Sequence, residues 1–145
     1  MNRNDIQIES EVVVAYPPNI EKINDVLGVK SNKNAIYAYE DKIYSPFGDD
    51  VSYDLHVHER VHFRQHRDFG GSDLWWDRYL EDIEFRLDQE LEAYRAQLAW
   101  VNENMNRQVR RDTFDHVCKS LSSKMYGNLL TKKQAGNLLK GSYGS

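Results

Sequence analysis

The five residues from His58 to His62, His-Glu-Arg-Val-His, constrain the fold more than any other stretch of the chain. Side chains four positions apart lie on the same face of an α-helix, so both histidines can present a ring nitrogen to one metal ion. Glu59 follows the first histidine and points toward the same cleft. A zinc hydrolase needs this arrangement of two neutral nitrogen ligands and one carboxylate that is not a ligand. The pattern predicts metal ligands at His58 and His62 and a general base at Glu59.

The residues around the motif favour a buried helix. Leu55, Val57 and Val61 supply apolar side chains, and no proline or glycine interrupts residues 51–68. The alternative is a surface helix that carries histidines without binding metal.

Composition narrows the class of protein. A chain of 145 residues is long enough for one domain with a modest core, and we expect a single domain over residues 1–145. The net charge of −4 gives no electrostatic reason to expect nucleic acid as a partner. No apolar stretch approaches eighteen residues, so no membrane span is expected. One cysteine, Cys118, excludes an internal disulfide and fits a reducing compartment, so we expect a cytoplasmic location.

The chain before the motif is predicted to be mainly extended. Residues 6–16 alternate and then become continuously apolar, which is typical of a strand. Residues 19–29 form a short amphipathic helix that Gly28 can end. Two short strands over 35–39 and 42–45 form a hairpin. Either strand of that hairpin could bind an extended peptide by strand addition.

Helices are predicted after the motif. Phe69-Gly70-Gly71 ends the first helix, and an apolar stripe predicts one long helix over residues 73–104. Thr131 and Gln134 form a capping-box pattern that starts a last short helix. Together these patterns predict an α+β fold: a short sheet with a hairpin, an active-site helix, a long second helix and short C-terminal helices.

Two groups of side chains flank the break between the first two helices. Residues 64–67 are expected to form a solvated end of the motif helix. Trp75, Trp76 and Tyr79 are expected to pack over that helix, and the alternative is an exposed aromatic patch for a partner.

A catalytic zinc site takes three protein ligands and keeps one position open, so a third ligand is needed. His66 lies one turn too far along the same helix. Asp68 would require a chain reversal at Gln65, where a glycine would be expected. The remaining candidates are Glu90 and Glu92 on the second helix.

Glu92 is the preferred third ligand on the helical wheel. It shares a face with Phe85, Ala96 and Ala99, and small residues let two helices approach closely. A carboxylate in such a place needs a partner that compensates for its desolvation, and a metal ion would serve. Glu90 remains the second choice.

The motif His58–His62, the hairpin before it and the long helix with Glu92-Ala93 resemble gluzincin metallopeptidases, and more narrowly the small single-domain minigluzincins. The likeness covers about residues 35–140. The run of residues 121–131 is also similar to small proteins encoded by tailed bacteriophages, which would make the location the host cytoplasm or the virion.

The resemblance implies a zincin-like fold, a Zn²⁺ cofactor and a peptide or protein substrate. It implies zinc ligands at His58, His62 and Glu92 and a general base at Glu59. Many relatives carry an aspartate just after the third ligand, and this chain lacks it. That difference leaves the choice between Glu92 and Glu90 open.

The leading functional hypothesis is a zinc-dependent peptidase. The alternative is a catalytically silent zincin-fold binding protein or virion-associated structural protein. Glu59 favours hydrolysis, because a structural zinc site has no use for a carboxylate that is not a ligand. Asp54 could orient a ligand histidine. The residue that stabilises the developing oxyanion stays open among five candidates: His56, Tyr94, Arg95, His116 and Tyr126.

Overall fold

The computed structural model describes residues 9–141. In that part of the chain the fold is α+β and mostly helical, which confirms the predicted class. The elements in chain order are β1 Val12–Val13, α1 Ile20–Leu27, β2 Tyr37–Tyr39, β3 Lys42–Tyr44, α2 Tyr53–Asp68, α3 Ser72–Glu81, α4 Ile83–Asn104, α5 Arg107–Leu121, a 3₁₀ helix Lys124–Tyr126 and α6 Lys132–Gly141.

The chain divides into two compact units, the first ending at Trp75 and the second beginning at Trp76. The sequence predicts a single domain over residues 1–145. This division into compact units does not test that prediction, which stays a prediction.

The first unit contains a three-stranded sheet in the order β1-β3-β2. The predicted hairpin is confirmed: β2 and β3 are antiparallel, and β1 runs parallel to β3. Its two-residue turn places Glu40 at φ 47° and Asp41 at φ 63°, as a type I′ turn requires. Because β3 pairs on both sides, it is not available for strand addition, and the prediction that it could bind a peptide in this way is wrong.

The first predicted strand is shorter than expected. The structure assigns only Val12–Val13 to it among the described residues, and residues 6–8 lie outside them. The Ala15 amide turns back to the Val13 carbonyl at 3.0 Å, which ends the extended run.

Apolar side chains join the sheet to α2 in the first unit. Ala38 and Ile43 from the hairpin pack with Phe63 from α2, and Ile36 and Val51 border this small core. Phe63 therefore fixes how α2 lies against the sheet.

Glycines end both helices where the sequence predicts it. Gly28 follows α1 in the left-handed conformation, with its amide donating to the Asn24 carbonyl. After α2, Gly70 at φ 102° and Gly71 at φ 125° reverse the chain, and the Gly71 amide donates to the His66 carbonyl.

The predicted single helix over residues 73–104 is wrong, because the chain breaks at Asp82 between α3 and α4. Asp82 leaves the helical region at ψ 104°, and its carboxylate accepts the Phe85 amide at 3.1 Å as an N-cap. The buried Arg86 guanidinium then donates to the carbonyls of Tyr79 and Leu80 at the end of α3. A side-chain donor thus satisfies carbonyls that a continuous helix would have paired with its own amides.

Apolar side chains from α4, α5, α6 and the 3₁₀ helix form the core of the second unit. Its buried members are Leu87, Leu91, Leu98, Val117, Cys118, Leu121, Tyr126, Ala135 and Leu139. The predicted capping box of the last helix is confirmed: the Gln134 amide donates to Thr131 Oγ1, and the Thr131 amide donates to Gln134 Oε1.

Candidate metal centre

Helix α2 carries three buried polar side chains within five residues. His58, Glu59 and His62 are 5%, 6% and 4% exposed. The imidazole ring centroids of His58 and His62 lie 4.9 Å apart, as expected for positions one turn apart. Ionisable groups are rarely buried together without a partner or a functional reason.

The Glu59 carboxylate lies beside the first histidine. Its Oε2 is 3.8 Å from His58 Nε2. This distance is too long for a direct hydrogen bond, but it places both groups in one small site. The structure therefore brings together the predicted base and the predicted first ligand.

Gln65 holds the second histidine. Its side-chain oxygen Oε1 lies 2.7 Å from His62 Nδ1 and, as a carbonyl oxygen, accepts the proton of that nitrogen. The bond fixes the tautomer and leaves His62 Nε2 as the nitrogen with a lone pair for a metal.

The expectation that residues 64–67 form a solvated end of α2 is wrong for two of the four. Gln65 and His66 are 4% and 3% exposed, whereas Arg64 and Arg67 are exposed. Gln65 lies three positions after His62, so both side chains are on the same face of α2. This spacing is the feature of the sequence that could have predicted the burial of Gln65.

His66, an early candidate for the third ligand, is bonded elsewhere. Its Nδ1 lies 2.8 Å from Ser72 Oγ, which also accepts the Glu40 amide. Its Nε2 is buried without a hydrogen-bond partner, and its ring packs 4.3 Å from Trp75, centroid to centroid. Burial lowers the pKa of His66 from 6.5 to about 3, so the ring is neutral near pH 7.

Three other candidates on α2 and its flanks have partners of their own. Asp68 is exposed and pairs with Arg64 at 3.2 Å. Asp54 accepts the Ser52 hydroxyl, and buried His56 accepts the Ser10 amide at 3.1 Å. Burial lowers the pKa of His56.

The two carboxylates considered on α4 lie in different environments. Glu90 is 7% exposed, and one of its oxygens accepts the Tyr79 hydroxyl at 2.6 Å. Glu92 is exposed. The buried face of α4 contains Glu90 with Ala93 and Gln97 at spacings of three and seven, whereas Glu92 lies one step away from that face.

Among the described residues, one group of side chains is arranged to hold a metal ion. His58, His62 and Glu90 each offer one ligand atom, and these atoms lie within 4.8 Å of one another. Zinc bound at about 2.1 Å from each donor separates the donors by roughly 3.5 Å, which is within the 4.8 Å limit that these three atoms satisfy. Two imidazoles and one carboxylate also form a known catalytic zinc set, so the residues fit the ion.

The remaining candidates on the C-terminal helices are placed individually. His116 is exposed on α5, and Arg95 donates to the Leu138 carbonyl at 3.2 Å. Tyr126 is buried, and its burial together with the Glu90 charge raises its pKa well above 10. The expected packing over α2 is confirmed for Trp75, whose ring lies 5.1 Å from His62 and 4.3 Å from His66 between centroids. Trp76 and Tyr79 are buried and pack against each other, and their packing over α2 stays a prediction.

Comparisons of the chain with protein-family models, curated proteins and solved structures return no match. Within residues 9–141, no helix is long and apolar enough to cross a membrane.

Proposed function

We propose that the protein is a zinc-dependent metallopeptidase with a zincin-like active site. The zinc ligands are His58, His62 and Glu90, and the general base is Glu59. The observation that carries the proposal is the convergence of three buried ligand atoms within 4.8 Å, with a further buried carboxylate beside one of them.

The donor set favours catalysis over a structural role. A structural zinc site is closed by four ligands and commonly uses cysteine thiolates, whereas this group has three ligands and no sulfur. Three protein ligands leave a coordination position for water or substrate. Glu59 then has a role that a structural site would not need.

Zinc, when bound, acts as a Lewis acid that polarises a carbonyl and acidifies water. Glu59 takes the proton of the attacking water and passes it to the departing amine. Gln65 keeps the His62 ring in the tautomer whose Nε2 can bind metal.

The peptide bond as substrate comes from the likeness of the motif to gluzincins. Zinc-activated water also hydrolyses other bonds, but the small single-domain minigluzincins that the motif resembles act on peptides. A peptide or protein substrate is therefore the first class to test.

The test is cleavage of a fluorogenic peptide library by zinc-loaded protein, with Glu59→Gln as the decisive variant. We expect this variant to bind zinc as the wild type does and to lose at least about 100-fold in kcat/KM, the scale of general acid–base catalysis. Glu84→Gln, which alters an exposed carboxylate on α4, is the control and should keep full activity.

Unchanged cleavage by Glu59→Gln would refute the base assignment. Stoichiometric zinc without cleavage of any peptide would refute the peptidase and point to a binding or structural protein.

A further inference from the structure

Tyr79 donates a short, buried hydrogen bond to Glu90. The tyrosine hydroxyl donates to Glu90 Oε2 at 2.6 Å, and the tyrosine is 2% exposed. A hydroxyl bonded to a carboxylate is a charge-assisted hydrogen bond, stronger than one between neutral groups. The ionised carboxylate has about four lone-pair positions, so this bond leaves capacity for a metal ion.

The surroundings fix Tyr79 at both its backbone and its ring. Arg86 Nε donates to the Tyr79 carbonyl at 2.8 Å, and the guanidinium carbon lies 5.4 Å from the ring centroid. The same guanidinium donates to the Met125 carbonyl at 2.6 Å, which ties the end of α3 to the 3₁₀ helix. The hydroxyl is therefore presented to Glu90 from a rigid support.

We propose that Tyr79 is a positioning residue that orients the Glu90 carboxylate for metal binding, an inference that rests on the proposed metal centre. The hydrogen bond from its hydroxyl limits the rotation of the carboxylate and stabilises its charge. It therefore lowers the conformational entropy that is lost when a cation binds and the cost of keeping the buried carboxylate charged. Partners of this kind typically change metal affinity by about 10–100-fold when they are removed.

The test is the zinc dissociation constant, measured by competition with a chromophoric chelator. Tyr79→Phe should weaken zinc binding by about 10–100-fold. Tyr79→Met fills the space with a flexible apolar side chain and should weaken binding similarly, which covers the case where one variant folds poorly. Tyr37→Phe removes the hydroxyl of another buried tyrosine, which bonds the Val29 carbonyl, and should change affinity less than about 3-fold.

A double-mutant cycle separates positioning of Glu90 from general loss of structure. In a Glu90→Gln background the charge that the hydroxyl serves is absent, so adding Tyr79→Phe should change zinc affinity less than about 3-fold. An equal loss in both backgrounds would overturn the proposal.

The remaining outcomes distinguish the two levels of inference. Wild-type protein that binds zinc, with a Tyr79→Phe variant of equal affinity, overturns the role of Tyr79 and leaves the metal centre intact. Wild-type protein that binds no zinc overturns the metal centre and the role of Tyr79 with it.

Discussion

The two helices that carry the candidate ligands differ in how they depend on the rest of the chain. In α2 the two histidines and Glu59 lie within five consecutive residues, and one turn of helix brings them together. In α4 the buried carboxylate is Glu90, whose environment depends on Tyr79 in the preceding helix. Local helix geometry brings the motif side chains together, whereas the environment of Glu90 depends on tertiary structure.

The preference for Glu92 came from the choice of face on the helical wheel. Phe85, Glu92, Ala96 and Ala99 all lie within α4, so the break at Asp82 leaves their relative positions on that wheel unchanged. The wheel treated Ala96 and Ala99 as the close-approach face, whereas the fully buried small residue is Ala93, three positions after Glu90. The buried side of α4 is therefore shifted from the side that the wheel favoured.

Loss of a motif histidine should have the largest effect. His58→Ala should reduce zinc affinity by roughly 1,000-fold, since one of three ligands carries about a third of a binding free energy near 12 kcal/mol. Competition with a chelator measures it. His116→Ala, on the exposed face of α5, is the matched control and should bind as the wild type does. Equal loss in both variants would mean that the motif is not the site.

Replacing the buried Arg86 should have the next largest effect. It tests whether the break between α3 and α4 depends on this side chain. Arg86→Met leaves carbonyls of Tyr79, Leu80 and Met125 without their donor, and should lower the free energy of unfolding by about 3 kcal/mol. Urea denaturation measures this change. Arg110→Met removes a partly exposed arginine whose guanidinium bonds one backbone carbonyl, and should cost under about 1 kcal/mol. A stable Arg86→Met variant would show that the helix break does not need its donor.

The two glutamates of α4 should then differ in metal binding. Glu90→Gln keeps the side-chain shape and removes the charge, and should weaken zinc binding by about 100-fold. Glu92→Gln changes an exposed carboxylate and should change affinity less than about 3-fold. The reverse result would restore Glu92, the ligand preferred from the sequence.

The smallest effect is a pH dependence at the end of α2, measured on metal-free protein. The pKa of His66 falls from 6.5 to about 3 on folding, so the unfolded state takes up the proton first as pH drops. The stability contributed by neutral His66 is complete above pH 6.5 and decreases toward pH 3, by at most about 1.4 kcal/mol per pH unit. His66→Asn should therefore show a shallower loss of stability between pH 6 and pH 4.

His116→Asn is the control for this pH series, because His116 is exposed. It should keep the wild-type slope. An identical slope for His66→Asn and wild type would show that His66 is not buried as a neutral ring.

Features that depend on neighbouring residues were predictable from the sequence. The hairpin turn at Glu40-Asp41, the stop at Gly28, the helix over the motif and the Thr131–Gln134 cap all follow from local chemistry. The α+β class follows from their sum.

Features that depend on distant partners were not predictable. Gln65 and His66 look like a polar helix end until His62 and Ser72 are placed beside them. Asp82 looks like one more helix residue until Arg86 reaches back to the carbonyls of α3. In each case a buried polar group is explained by a hydrogen bond that sequence spacing does not reveal.

Anomalous diffraction at the zinc edge from zinc-loaded crystals tests the proposed metal site most directly. We expect one peak within about 2.2 Å of a ring nitrogen of His58, Nε2 of His62 and a carboxylate oxygen of Glu90. A peak bound by the two histidines and Glu92, or no peak at these side chains in fully loaded crystals, would contradict the proposed centre.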